Sequence, residues 1–209
     1  MARPKLTRDQ KKARTREALV DAAAQVFAER GFHLASLEQV ADRAGFTIGA
    51  VYSNFAGKEE LFLVVLDRWG VEEAVALGQG LAAVRTAEAA VEAVDTWFRE
   101  RWSDPTRLFA IAEFMLHSRT RPAALDALRE RALRVHAGLE LIIESSRSSI
   151  PIAPDVDSHQ AARAVLAISY GIAMQRIIEP DAPVADLLSH LLRRLVFDDQ
   201  ASVKRAKPR

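Results

Sequence analysis

The 209-residue chain contains no cysteine, which excludes both a disulfide framework and a thiolate metal site. That absence agrees with a reducing compartment. No apolar run approaches the roughly 20 residues that a membrane-crossing helix requires. The basic N-terminus is followed by no apolar signal core, so the chain is expected in the cytoplasm, away from any membrane. Glycine and proline are sparse, at 9 and 8 residues, and strand-like alternation is missing. A glycine-rich phosphate loop, a serine-centred elbow and an HExxH pattern are missing too. No nucleophile–base pair emerges from spacing, so neither catalysis nor a bound cofactor is expected.

What is present favours helices. Alanine, leucine, arginine and glutamate dominate, and hydrophobic residues make up 49% of the chain, ample for a buried core. Net charge is only +1, yet it is unevenly spread. Residues 1–16 carry Arg3, Lys5, Arg8, Lys11, Lys12, Arg14 and Arg16 against Asp9 alone. The last residues add Lys204, Arg205, Lys207 and Arg209 with no acid, which leaves the stretch between acidic. A basic arm on an acidic body fits an end that meets a polyanion, and equally a solvated terminus. The 201–209 tail is assigned to solvent.

Thr7-x-x-Gln10 has the form of a capping box opening a first helix, whose apolar face is Leu19, Ala22, Ala23, Val26 and Phe27 and which ends at Gly31. Ser36 and Gln39 repeat the box ahead of a second helix that stops at Gly45. A third follows Thr47 and runs to about Phe55. A fourth starts near Gly57-Lys58-Glu59-Glu60 and runs toward Leu77, before a weakening at Gly78 and Gly80. Helices are further predicted over 86–103, 105–119, from Arg121-Pro122 to about Ser145, over 158–178 and over 184–197. The paired prolines at 180 and 183 read as a turn. The fold class is all-α, with about nine helices: a three-helix N-terminal module over 1–58 and a larger helical body over 59–200.

Residues 36–55, SLEQVADRAGFTIGAVYSNF, have the anatomy of a helix-turn-helix. Ala41 is small where two helices cross, and Gly45 suits a tight turn with positive φ. Phe46 and Val51 plug the angle between the helices. Docked so, the second helix can enter a major groove with its N-terminal residues against base edges. Thr47 offers a hydroxyl and free backbone N–H groups for a phosphate. Ile48, Gly49 and Ala50 are small or apolar enough to approach bases, while Tyr52, Ser53, Asn54 and Lys58 can reach phosphates or base edges. Ser36 completes the set of expected DNA contacts. An ordinary helical hairpin with a tight turn shares the spacing.

From Arg14 to Leu61 the chain resembles the DNA-binding domain of the TetR family of bacterial transcription regulators. The resemblance is carried by Phe27-Ala28-Glu29-Arg30-Gly31-Phe32, Ser36-Leu37-Glu38-Gln39-Val40-Ala41, Ala44 through Phe55, and Lys58-Glu59-Glu60-Leu61. It implies that Thr47–Asn54 enters the major groove and that Tyr52 and Lys58 hold phosphates. Two departures stand out: Ile48 where a basic or polar residue is common, and Asn54 where histidine is common. Both shift sequence reading toward DNA shape and the basic arm.

The same resemblance implies a two-fold homodimer built from the last two long helices. Leu187, Leu188, Leu191, Leu192 and Leu195 form a broad stripe, and Ile168, Gly171 and Ile172 offer a partly small face. Such a stripe also serves an intramolecular core. The middle body resembles a signal-binding domain that takes a small-molecule effector. Trp97, Trp102, Phe109, Phe114, Tyr170 and Met174 are candidates to line its pocket, and Glu113 and His117, one turn apart, to orient a ligand. Plain core, and a pair on a partly wet face, are the competing readings. His136 and Glu140 share that spacing, but two ligands on one helix fall short of a metal site, so no metal is assigned. The expected function is a ligand-responsive regulator that occupies an inverted-repeat operator on double-stranded DNA. Repression by occupancy is the expected mode, with activation and architectural, sequence-independent binding as alternatives.

Overall fold

The computed structural model describes residues 7–101, 105–150, 152–179 and 185–195. Among them the regular elements are the helices α1 (Arg8–Leu34), α2 (Leu37–Ala44), α3 (Ile48–Tyr52), α4 (Lys58–Ala82), α5 (Ala87–Arg101), α6 (Thr106–Ser118), α7 (Pro122–Ser146), α8 (Ser158–Ile178) and α9 (Ala185–Leu195). The fold is all-α. The chain divides into two compact units. The first takes the described residues through Trp69 together with Thr106–Glu130, and the second takes Gly70–Pro105 and the described residues from Arg131 on.

In the first unit, α1 opens with the expected capping box, Thr7 and Gln10 each accepting the other's backbone N–H. Its buried stripe is Leu19, Val20, Ala23, Val26 and Phe27. The regular helix breaks at Gly31, where a stop was expected. That residue takes φ 72° and ψ 178°, a region essentially reserved for glycine, and one further turn follows the kink to Leu34. Phe32, just past the kink, lies 5.0 Å from the Phe62 ring of α4 and 4.9 Å from Phe114 of α6, both edge-on. Phe27 meets Phe62 at 4.8 Å in the same manner. These rings are why α6 packs in this unit, although it lies some fifty residues beyond the helix-turn-helix. The sequence reading divides the chain into domains at 58/59, whereas the compact unit runs through Trp69 and takes in Thr106–Glu130, because packing follows the aromatic core.

The second unit is built from the later part of α4, α5, the later part of α7, α8 and α9. Gly78 and Gly80 do not end α4. Leu77 is buried and Leu81 packs against buried Val84 just beyond the helix, and such packing outweighs the roughly 1 kcal/mol helix preference lost per glycine. Asp157 caps α8 by accepting the N–H groups of His159 and Gln160. Helix α9 packs on α5 and α8.

The leucine stripe divides here. Leu188, Leu192 and Ile172 are buried within the chain's own unit, Ile168 and Leu191 are half-buried, and Gly171 and Leu187 are exposed. The side chain of Leu195 lies outside the described residues. An intramolecular core therefore accounts for three residues expected at a dimer interface, because a broad stripe on a short helix has to cover its own neighbours first. The apolar surface left over lies along α8, where Tyr170, Gly171, Met174 and Ile178 follow helical spacing and Ile178 is 88% exposed. By length and composition α8 also suffices to cross a membrane, with a mean hydropathy of 1.2 in a window that is 33% buried. The expected absence of an unbroken apolar run of about 20 residues holds for α8, since His159, Gln160, Arg163, Gln175 and Arg176 interrupt it. Single polar residues interrupt the apolar run of α8 without lowering its average below that level.

Candidate nucleic-acid interface

Two short helices and one turn form the candidate site. Helix α2 starts at Ser36, whose hydroxyl accepts the Gln39 N–H while the Gln39 side chain accepts the Ser36 N–H. It ends at Gly45, left-handed at φ 71°, ψ 29°, whose N–H returns to the carbonyls of Ala41 and Asp42. A Cβ at this φ would be strained, so the turn depends on glycine. Phe46 then donates its N–H to the Ala41 carbonyl at 2.9 Å. Its ring is exposed rather than wedged between the helices, so of the two residues expected there, Val51, fully buried, holds the angle.

Helix α3 is short. Thr47 caps it, its Oγ1 accepting the Ala50 N–H at 3.3 Å. It closes at Tyr52, not at Phe55. Ser53 Oγ and Asn54 Nδ2 both donate to the Ala50 carbonyl, at 2.9 and 2.8 Å, which tightens the last turn and halts the helix. Thr47, Gly49, Tyr52 and Ser53 are exposed, and Ala50 is half-exposed. Ile48 is half-buried and packs against the core. The N-terminal end of α3 therefore presents small side chains to solvent, with Tyr52 59% exposed at its other end. Asn54 spends its amide on the protein itself, through Ala50 and Ser53.

Lys58 is also engaged. Its ammonium donates to the carbonyls of His33, at 3.1 Å, and Ala35, at 2.8 Å, and lies 4.7 Å from the Phe32 ring centre. Desolvation lowers its pKa from the ordinary lysine value, and the charge of Glu113 partly opposes that. With two of three N–H donors so used, one remains to meet a phosphate. Arg43 is paired with Glu29 through Nη1 and Nη2, which lowers the Glu29 carboxyl below its usual range.

The sequence pattern did not single out Arg16 from the basic arm. Its Nη1 donates to the Asn54 carbonyl at 2.6 Å, and its guanidinium lies 4.2 Å from the Phe55 ring centre. A signal was available: positions 16, 20, 23 and 27 share one helical face, and the other three are buried.

The residues expected to bind an effector fall in both units. Phe114 is buried among Phe32 and Phe62. Glu113 accepts the His33 N–H at 2.8 Å, with its Oε2 2.7 Å from where a Cβ on Gly31 would be. His117 Nε2 meets Glu59 Oε1 at 2.6 Å, and Arg121 reaches the same oxygen at 3.2 Å. Glu113, His117 and Arg121 thus hold the kink of α1 and the start of α4. The one-turn spacing that suggested a ligand pair serves a clasp between helices. Phe109 is exposed. In the second unit, Trp97 lines a groove of about 370 Å³ with Ala76, Gly80, Glu92, Thr96 and Glu100. Tyr170 and Met174 lie on the exposed face of α8, and Trp102 lies outside the described residues.

Residues 19–65 match the family described as bacterial regulatory proteins, tetR family. The HTH-type transcriptional activator FasR of Mycolicibacterium smegmatis is 41% identical over 64 residues, 31% of this chain and 27% of FasR. The HTH-type transcriptional repressor BepR of Brucella suis is 45% identical over 56 residues, 27% of each chain. This chain therefore matches about a quarter of the length of each. The HTH-type transcriptional regulator UidR of Escherichia coli is 20% identical over 158 residues, 76% of this chain and 79% of UidR. Among solved structures, a TetR-family regulator from Rhodococcus superposes with a TM-score of 0.72 at 17% identity, covering 88% of this chain and 98% of that one. FadR of Bacillus subtilis, solved in complex with stearoyl-CoA, does so with a TM-score of 0.64 at 17% identity, covering 84% and 96%. Both likenesses are of fold.

Proposed function

We propose that this chain is a transcription regulator carrying a DNA-binding helix-turn-helix, a repressor released by a small molecule, a reading supported by the match of residues 19–65 to the tetR family of bacterial regulatory proteins. The observation that carries the reading is the exposed N-terminal end of α3, with its small side chains and the Thr47 cap, braced from behind by buried Val51. Gly49 and Ala50 approach base edges, Ile48 meets thymine methyls, and Thr47, Tyr52, Ser53 and the free donor of Lys58 hold phosphates. Ser36 and Asn54 assist as caps that keep the reading elements in register.

The chain acts as a homodimer. Its contact surface is the apolar face of α8, with Gly171, Tyr170, Met174 and Ile178, continued by Leu187 of α9. A two-fold dimer presents its reading helices about 34–36 Å apart, or at multiples of one DNA turn, so the operator is an inverted repeat. Residues 1–58 read DNA, and 59–200 dimerise and respond to the effector. The effector is assigned to the second unit, where Trp97 lines an open groove with Glu92 and Glu100. The clasp made by Glu113, His117 and Arg121 gives α6 and α4 a direct hold on the reading head. An effector acts by favouring one arrangement of these helices, and the shift equals its differential affinity for the two states.

Selection of tight-binding duplexes from a random pool at near-physiological salt tests this. An enriched inverted repeat is expected. Affinity that ignores sequence and falls steeply with salt would instead mark an architectural protein. Activation is the second reading, favoured by the likeness of residues in this domain to FasR. A reporter placed under the selected operator separates the two.

A further inference from the structure

Helix α3 spans five residues, far below the roughly 12–15 that hold helical structure unaided in water. Its seating must therefore come from the groups that grip its ends. At the N-terminal end these are the Thr47 cap and buried Val51. At the C-terminal end, Ser53 and Asn54 turn back on the Ala50 carbonyl, and the grip from outside the motif is Arg16. It crosses 38 positions of sequence to reach the Asn54 carbonyl at 2.6 Å, and its guanidinium plane lies over Phe55. A cation at that end also opposes the partial negative charge of the final carbonyls.

We propose that Arg16 is a positioning residue that seats α3 for base reading and does not hold phosphate. The basic arm invites the opposite assignment, since arginines there would ordinarily meet the DNA backbone. Arg16 differs from the arm by its place on the stripe of Val20, Ala23 and Phe27, which directs it inward and makes it half-buried. Its guanidinium donates through Nη1 to one carbonyl while its delocalised centre lies 4.2 Å from one ring, and lysine, a compact point charge, has no such planar group to lay against Phe55. A head with α3 unseated still attracts DNA by charge but reads no sequence, so apparent operator affinity scales with the seated fraction.

The inference rests on α3 being the reading helix, and the test has one arm that needs no DNA. Amide hydrogen exchange of the free Arg16→Lys protein should show lost protection at Ser53, Asn54 and Phe55, with α1 and α4 unchanged. Wild-type protection there overturns the proposal. In the second arm, wild type, Arg16→Lys and Arg16→Ala are titrated with the duplex recovered by selection and with a scrambled duplex, over a range of salt. Both variants should lose about ten- to a hundredfold in operator affinity, the reach of one charged hydrogen bond, while scrambled-duplex affinity and its salt slope stay at wild-type values. If lysine restores operator affinity, or if alanine lowers the salt slope on both duplexes by about 0.9 per phosphate contact, Arg16 is a phosphate contact and the proposal fails. If Arg16→Ala does not fold, the lysine variant and the exchange measurement decide alone.

Discussion

Replacing Gly31 with alanine should destabilise the protein through two separable effects. The first is backbone strain. At φ 72° and ψ 178° a residue with a Cβ sits in a region essentially closed to it, at a cost of about 1–3 kcal/mol. The second is displacement of Glu113, because an added Cβ would lie 2.7 Å from its Oε2 and force the carboxylate off the His33 N–H. That hydrogen bond is solvent-exposed, which holds its contribution to about 1 kcal/mol, below the 1.5–3 of a sheltered charged bond. Together they give about 2–4 kcal/mol, or on the order of 5–15 °C in melting temperature for a chain of this size. Far-UV circular dichroism during heating, with urea unfolding for the free energy, measures both. The same substitution in a Glu113→Ala background should be milder by about 1 kcal/mol, since only strain remains. A Gly31→Ala protein within 0.5 kcal/mol of wild type, the background figure for innocuous surface changes, would refute the strained-kink argument. An identical loss in both backgrounds would refute the part played by Glu113.

Tyr52→Ala should weaken binding to operator and scrambled duplex alike and make the salt slope shallower by about 0.9 per phosphate lost, read by fluorescence anisotropy; a changed sequence preference at constant slope would show that Tyr52 reads bases. Leu188→Ala, in the core of the second unit, should cost about 2–5 kcal/mol in unfolding experiments. Ile178→Glu should leave stability of the protomer intact and reduce self-association in analytical ultracentrifugation; the reverse pattern would place the dimer face on the leucines. Burial, then the charges of Arg163 and His159, hold His136 below its ordinary value of 6.5. The unfolded chain therefore takes up that proton first, so the contribution of His136 to stability is complete above pH 6.5 and is lost as pH falls through the folded value. His136→Gln should flatten the decline in urea stability below pH 6.5, and an unchanged decline would exclude His136 as its source.

Much of this was legible in sequence because it is local. Capping boxes at Thr7 and Ser36 and the 3.6-residue periodicity act within one or two turns, so a one-dimensional pattern contains them. The helix-turn-helix was legible for the same reason: Ala41, Gly45, Thr47 and Val51 do their work within eleven residues. Helix ends were less so. The return of Ser53 and Asn54 to Ala50 ended α3 early, and the packing of Leu77 and Leu81 carried α4 past its glycines. What the tertiary structure alone decided are the long-range pairings. Glu113 meets His33 across 80 positions and Arg16 meets Asn54 across 38. Helical periodicity marks a face as apolar or polar but carries no record of what that face will meet. Thus Glu113 and His117 read as a ligand pair or as a pair on a partly wet face, with nothing to indicate the clasp they form, and the leucines of α9 as a dimer surface or a core. Which partner each face finds depends on how whole helices pack, a sum over many contacts that no single stretch of sequence contains.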